Sequence, residues 1–460
     1  MPCVLILAAG RGKRMLSDLP KPLQEVAGKC LLFYVITEVF EAFPQVSLGI
    51  VVGYQASQVE HYVRQHFQDK LDQIVFILQP EPSGTADAVR WGLRSDWGRK
   101  LVQDQLPLLV LPGDFPLMQA PLFEAMAAAL SPGQVLRLLV TQLVQPQGYG
   151  RVIREAGRVQ RIVEEKDATS EEKKIKEVAC CVYLFDSKFL AKALDALSTN
   201  NAQGEWYLTD VIAQASGKLE VLGWPSEDLQ GVNDLWELAQ AERAMYLRCA
   251  RFWLSRGVRI LDPWNVRIGI EVELEPSVVL HPGVILGGKT KIGKNTVIGP
   301  YVVLHEVQVG EGCQLKVGTV AEQTVVGDHT QVGPYAHLRP ETYLGSYVKV
   351  GDFVELKKTS LGERTSVAHL SYLGDAQVGR GVTVGCGFVT CNYDGQKKYE
   401  TVIEDGAFIG SACQAVAPIR IGAQACVAAG STLTEDVPSL SLAIARSRQT
   451  NKSDYVKKES

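Results

Sequence analysis

From about Val266 onward the chain repeats itself every six residues, an aliphatic side chain followed by glycine. Ile292-Gly293 and Ile298-Gly299 are one period apart, as are Val326-Gly327 and Val332-Gly333, Leu344-Gly345 and Val350-Gly351, and Val378-Gly379 and Val384-Gly385. Ile409-Gly410 and Ile421-Gly422 are separated by two periods. An amphipathic helix repeats near 3.6 residues and a half-buried strand near 2, so neither accounts for the beat. A parallel solenoid does. The aliphatic residue points inward at each corner and the glycine after it is expected to make the turn.

The first 231 residues have no such beat. Short apolar runs alternate with helix-like segments, the pattern of a doubly wound α/β domain. Strands are expected at Val4–Leu7, Leu48–Val52, Ile74–Leu78, Leu108–Leu111 and Val178–Phe185. Between the two regions, residues 233–257 read as one long helix with Leu235, Leu238, Ala239, Met245 and Cys249 along one stripe. A chain of 460 residues exceeds one ordinary core, which fits this division. The expected boundaries are 1–232, a linker helix 233–257, a coil 258–446 and a polar tail 447–460.

Composition narrows the partners. Hydrophobic residues at 46% and charged residues at 21% are those of a globular protein. A net charge of −4 gives no general attraction to nucleic acid or an anionic membrane, so neither is expected as a partner. The first apolar run has no basic flank and is too short to span a bilayer. Ten scattered cysteines without a C-x-x-C pair suit buried thiols in a reducing, cytoplasmic setting.

Ligands of α/β sheets bind beyond the carboxyl ends of the strands. Val4–Leu7 runs into Ala8-Ala9-Gly10-Arg11-Gly12, whose small residues let the backbone approach phosphates or a base, with Arg14 and Lys21 as cationic donors. Ile74–Leu78 is followed by Gln79 and by Gly84-Thr85, an amide and a turn able to meet a base edge. Leu108–Leu111 is followed by Asp114, a hard ligand suited to Mg²⁺. Asn233 is either a second metal ligand or a helix cap. Gly150 and Glu164 permit close approach and hydrogen bonding to hydroxyls, although Glu-Glu-Lys-Asp also suits a solvated run.

In the coil, chemistry is expected where the beat breaks: Arg339-Pro340, Lys357-Lys358, His369 to Tyr372, and Cys391 to Gly395. His369 has three readings: a general base, a metal ligand with His329 and His337, or a structural histidine. No shared repeat phase joins the three histidines, which ranks metal low.

Leu7 to Met15, L-A-A-G-R-G-K-R-M, followed by S-D-L-P-K to Lys21, resembles the signature of sugar-1-phosphate nucleotidyltransferases. The order of later motifs, including N-N-A-Q-G-E-W-Y-L-T-D from Asn200 to Asp210, resembles the bacterial bifunctional N-acetylglucosamine-1-phosphate uridyltransferase and glucosamine-1-phosphate acetyltransferase family over nearly the whole chain. The resemblance implies an N-terminal Rossmann-like nucleotidyltransferase domain and a C-terminal left-handed parallel β-helix of hexapeptide repeats. It implies UTP binding by Leu7, Ala8, Ala9, Gly10 and Lys21, with Gln79, Gly84 and Thr85 at the uracil. Arg14 and Lys21 act in catalysis, Gly150, Glu164 and Asn233 at the sugar, and Asp114 with Asn233 on one Mg²⁺. For acetyl transfer it implies His369 as base, and Arg339, Lys357, Tyr372, Asn392 and Lys398 at glucosamine-1-phosphate. Cys386, Asn392, Tyr393, Ser411, Ala429 and Arg446 match positions at acetyl-CoA. A homotrimer is expected, with substrates between neighbouring coils.

Four positions depart from that pattern. Lys13 stands where a small Thr is usual. Ala179 begins an Ala-Cys-Cys where Asn-Thr-Gly is usual, and that Asn contacts the sugar. Thr383 and Cys386 replace the usual Asn and Ala near the acetyl-transfer site.

Overall fold

The structure, a computed structural model, describes residues 2–453 and 455; of the expected tail, residues 454 and 456–460 lie outside the described residues. The chain divides into two compact units, Met1–Met245 and Tyr246–Ser460. The division falls inside the helix Leu235–Leu254.

In the first unit seven strands make the main sheet: β1 (Cys3–Ala8), β2 (Leu48–Val52), β3 (Ile74–Leu78), β4 (Leu108–Pro112), β5 (Leu136–Gln142), β6 (Glu177–Phe185) and β7 (Leu219–Gly223), in the order β7-β5-β6-β4-β1-β2-β3. β1 is parallel to β2 and β4, whereas β6 runs antiparallel to β4 and β5, so the sheet is mixed. Val4, Ile6 and Ala8 pack into one core and Cys3 and Leu5 into another on the opposite face. Burial on both faces is why β1 reads as an unbroken apolar run. All five expected strands are present.

The second unit is a parallel β-helix. Its strands pair with partners 17 or 18 residues away, as Val279 with Val297 and Val297 with Gln314, which is about three periods per coil. Ile292, Ile298, Val326, Val332, Val350 and Ile409 all lie in one core running through the coils. Apart from Gly333, whose φ is +91°, the glycines of the beat do a different job from the one expected. Gly293, Gly345 and Gly351 do not have positive φ. A Cβ on Gly293 would sit 2.7 Å from the backbone of Gly310 in the next coil, so glycine is there for close stacking of coils. The left-handed corner residue comes two positions later: Asn295, Tyr301, Tyr347 and Phe353, with φ of 60°, 55°, 62° and 55°. One coil departs from the rhythm. Thr383 pairs with Phe408, a step of 25 residues, and the extra chain around Cys391 to Glu400 loops out, carrying Asn392, Tyr393 and Lys398.

Candidate functional site

The carboxyl ends of β1, β3 and β4 open into a cavity of about 350 Å³. Its lining includes Leu7, Ala8, Ala9, Gly10 and Lys21 from the first glycine-rich exit, Gln79, Gly84 and Thr85 from the second, and Asp114 from the third. Gly150, Glu164 and Asn233 complete the set. Arg14 is not among them; it is exposed on the turn Lys13–Met15.

At the centre, the Lys21 ammonium donates to Asp114 and to the Asn233 amide oxygen, the latter at 2.9 Å. Two long-range contacts assemble this trio. The Val232 N–H donates to the Asp114 carbonyl at 3.0 Å, and the Gly231 N–H donates to the Tyr149 hydroxyl at 3.1 Å. Asn233 does not cap the helix that follows it. The Asp234 side chain accepts from the Glu237 N–H at 2.9 Å and fills that role, leaving the Asn233 oxygen free for Lys21. The two oxygens of Asp114 and Asn233 therefore converge on one cation, here the ammonium, a donor set that suits a hard metal ion.

Around this trio the backbone is tight. Gly84 has φ of +114°, and a Cβ there would meet the Trp206 carbonyl oxygen at 2.4 Å. The Gln79 amide donates to Asp87 at 2.9 Å, and the Thr85 hydroxyl accepts from the Leu208 N–H at 3.0 Å, so both side chains are held by protein partners. Glu164 accepts from the Thr209 hydroxyl at 2.9 Å; burial pushes its carboxyl pKa up against that bond. Arg151, fully buried, pairs with Glu165 at 2.6 Å beneath the Tyr149-Gly150 turn.

In the β-helix, the His369 Nδ1 lies 2.6 Å from an Asp352 oxygen, the two residues being register partners on adjacent strands. The Asp352 carboxyl is held below its usual range by its own backbone N–H and by His369. A proton on Nδ1 facing the carboxylate leaves the Nε2 lone pair free. His329 stacks instead on Tyr347, and among the described residues no group of three His, Cys, Asp or Glu side chains could hold a metal ion.

A polar cluster gathers around Asp375. Asn392 donates to Asp375 at 2.6 Å, and Lys357 lies 3.8 Å from the same carboxylate. The Lys357 ammonium is held below its usual range by the neighbouring Lys398, by burial and by Arg339, with Asp375 opposing. Lys357, Lys398 and Arg339 gather positive charge here, with Arg339 itself paired to Glu355 at 2.9 Å. The Tyr372 hydroxyl and the Asn392 amide converge over Gly374, where a Cβ would meet them at 2.4 and 2.7 Å.

A second line of residues runs from His369 down one corner. The Gly387 N–H bonds to the His369 carbonyl, Ala412 to Cys386 and Gly430 to Ser411, and the Arg446 guanidinium donates to the Ala429 carbonyl. His369, Cys386, Ser411, Ala429 and Arg446 thus occupy successive coils of one ladder, about 19 Å long at the usual strand spacing. Next to this ladder the corner residue is bulky down to His369 (Tyr335, Phe353, Leu370) and small beyond it (Gly387, Ala412, Gly430). The corner is therefore lined by small residues in the coils after His369.

Residues 3–244 match the nucleotidyl transferase family, and residues 265–369 match the GMPPB C-terminal domain. The chain is 44% identical to the bifunctional protein GlmU of Carboxydothermus hydrogenoformans, over 98% of this chain and 99% of that protein. It is 41% identical to the bifunctional protein GlmU of Fervidobacterium nodosum, over 99% and 97%. The chain belongs to the GlmU family. The sequence alone did not single out Asp352, Asp375, Tyr149 and Thr209, which hold side chains of the candidate sites in place. Asp352 lies in a regular repeat, Val350-Gly351-Asp352, and Asp375 follows Gly374 within the strand Tyr372–Val378, so neither carried a signal of its own. The family takes nucleotide and acetyl-CoA substrates.

Proposed function

We propose that the cavity in the first unit carries out uridylyl transfer and that the ladder beginning at His369 carries out acetyl transfer. As a GlmU-family member the chain is a transferase with both activities, and together they make UDP-N-acetylglucosamine. The observation that carries the site assignment is the convergence of Lys21, Asp114 and Asn233 at the strand exits.

For acetyl transfer, Arg339, Lys357 and Lys398 hold the phosphate of glucosamine-1-phosphate, while Tyr372 and Asn392 meet its ring. The amine attacks the thioester carbon of acetyl-CoA. His369 Nε2 takes the amine proton, Asp352 stabilises the resulting imidazolium, and the coenzyme A thiol leaves. Cys386, Tyr393, Asn392, Ser411, Ala429 and Arg446 form a shelf for the elongated cofactor.

For uridylyl transfer, Leu7 to Gly10 place the triphosphate, and Gln79, Gly84 and Thr85 meet the base. Gly150, Glu164 and Asn233 orient N-acetylglucosamine-1-phosphate, whose phosphate oxygen attacks the α-phosphorus as pyrophosphate departs. Lys21 neutralises the developing charge, and Arg14 on the rim is a second cation for the triphosphate. Mg²⁺ would be held by Asp114 and Asn233 and would neutralise phosphate charge there.

The reading includes a cytoplasmic homotrimer. No helix among the described residues is long and apolar enough to cross a membrane. Tyr301, Tyr335, Phe353 and Leu370 are 64%, 53%, 58% and 58% exposed on one corner, with Tyr335 and Phe353 stacked at 5.7 Å. An apolar ladder this open, ending beside His369, suits burial against a second copy. The test separates the reactions. His369→Ala should abolish coenzyme A release and spare pyrophosphate release, and Asp114→Ala should do the converse. Loss of both activities in either folded variant refutes the division of labour.

A further inference from the structure

The two oxygens assigned to Mg²⁺ above are bonded to another cation. The Lys21 ammonium donates to the Asp114 carboxylate and to the Asn233 amide oxygen, so it stands at the point where the two converge. The segments carrying those oxygens are pinned. The Asp114 carbonyl accepts from the Val232 N–H at 3.0 Å, the Gly113 N–H donates to the Leu7 carbonyl at 3.0 Å, and the Asn233 N–H donates to Glu237 at 2.6 Å. Lys21 is held at its root, between Pro20 and Pro22, where its carbonyl accepts from the Gln24 N–H at 3.1 Å. Its ammonium ends a flexible four-carbon stem. That stem starts against the glycine-rich exit: a Cβ on Gly12 would lie 2.9 Å from the Lys21 Cβ. Among the described residues lining the cavity, Lys21 is the one cation, set against Asp114, Glu164 and Glu205.

We propose that Lys21 is a placeholder that shuts the metal site until the triphosphate arrives. In the nucleotide-free chain the ammonium compensates the Asp114 charge and keeps a divalent ion from both oxygens. A triphosphate on the Leu7–Gly10 exit presents more negative charge than one carboxylate, and it draws the ammonium toward the phosphates while the root stays fixed. The Asp114 and Asn233 oxygens are then left to a metal ion, which takes phosphate oxygens as further ligands. One cation leaves as another enters, so the carboxylate is never left uncompensated. The consequence is a coupling. The metal binds weakly alone and firmly with nucleotide, and by linkage the nucleotide gains from the metal to the same extent. The inference rests on the reading of Asp114 and Asn233 as the metal pair.

The test reads Mn²⁺ binding directly, as loss of the free-ion electron paramagnetic resonance signal, in the full-length chain without nucleotide or acceptor. A site that is open about one-tenth to one-hundredth of the time binds its ligand about 10- to 100-fold more weakly than one always open. Lys21→Met and Lys21→Gln remove the charge and keep most of the stem. Both should bind Mn²⁺ about 10- to 100-fold more tightly than the unsubstituted chain, even as uridylyl transfer falls. The gain should vanish when Asp114→Asn is added to Lys21→Met. Equal or weaker Mn²⁺ binding in both single variants overturns the proposal, because a lysine that only steadied the pair would weaken the site on removal. Tight Mn²⁺ binding that survives Asp114→Asn in the Lys21→Met chain overturns instead the reading of Asp114 as a metal ligand.

Discussion

Replacing Lys21 with alanine removes the cation on which the nucleotidyl cavity closes. Its ammonium contacts Asp114 and Asn233, and the Lys21 and Asp114 side chains are 14% and 22% exposed. Opposite charges about 4 Å apart attract by about 4 kcal/mol at an effective dielectric near 20. Desolvation and side-chain ordering offset part of this in the resting site. A preorganised donor aimed at developing charge is nevertheless worth about 3–4 kcal/mol in the transition state. At about 1.4 kcal/mol per factor of ten, kcat/KM for uridylyl transfer should fall about 10²- to 10³-fold. Acetyl transfer should be unchanged, because Lys21 and His369 lie in separate compact units. Pyrophosphate release from UTP reports the first reaction and thiol release from acetyl-CoA the second, on one preparation. Lys21→Arg keeps the charge in a planar fork that fits the Asp114–Asn233 pair less well, and should recover only part of the loss. A fall of less than about fivefold in Lys21→Ala, or a parallel loss of both activities at an unchanged thermal midpoint, would refute the reasoning.

Three further outcomes follow from other contacts. Asp352→Ala should lower kcat for acetyl transfer about 10- to 100-fold, less than for a buried dyad because the His369 side chain is 56% exposed, and should alter the pH–rate profile. Burial raises the Glu164 carboxyl pKa, so the stability this group contributes is present at low pH and is lost as pH rises through its folded value. Glu164→Gln should therefore raise the thermal midpoint by about 2 °C at pH 8 and by less at pH 4, while raising the KM for the acceptor sugar. Phe353→Glu places a charge in the stack with Tyr335; if the proposed trimer forms, light scattering should show a smaller species than the unsubstituted chain, with acetyl transfer lost and pyrophosphate release retained.

Legibility in the sequence varied with how local the determining physics is. The five strand runs and the six-residue beat were readable because each strand or coil states its own burial pattern. The glycine after each aliphatic residue was visible, yet its purpose was not. Gly293 is small because Gly310 of the next coil lies against it, and no property of the hexapeptide alone says so. Asn233 was ambiguous for a similar reason: only the structure places Asp234 on the cap and turns Asn233 toward Lys21.

The chain's own order determined an α/β unit with glycine-lined strand exits and a coil whose period is covalently written into it, whereas the antiparallel course of β6 came from the structure. Tertiary structure alone decided that Lys21, Asp114 and Asn233, separated by 93 and 212 positions from Lys21, share one point in space. It also decided that Asp352 backs His369 and that Asp375 holds Asn392 and Lys357. Periodicity records which side of each short segment is dry. Distances between segments are set by how whole sheets and coils pack, and that information is spread over the entire chain.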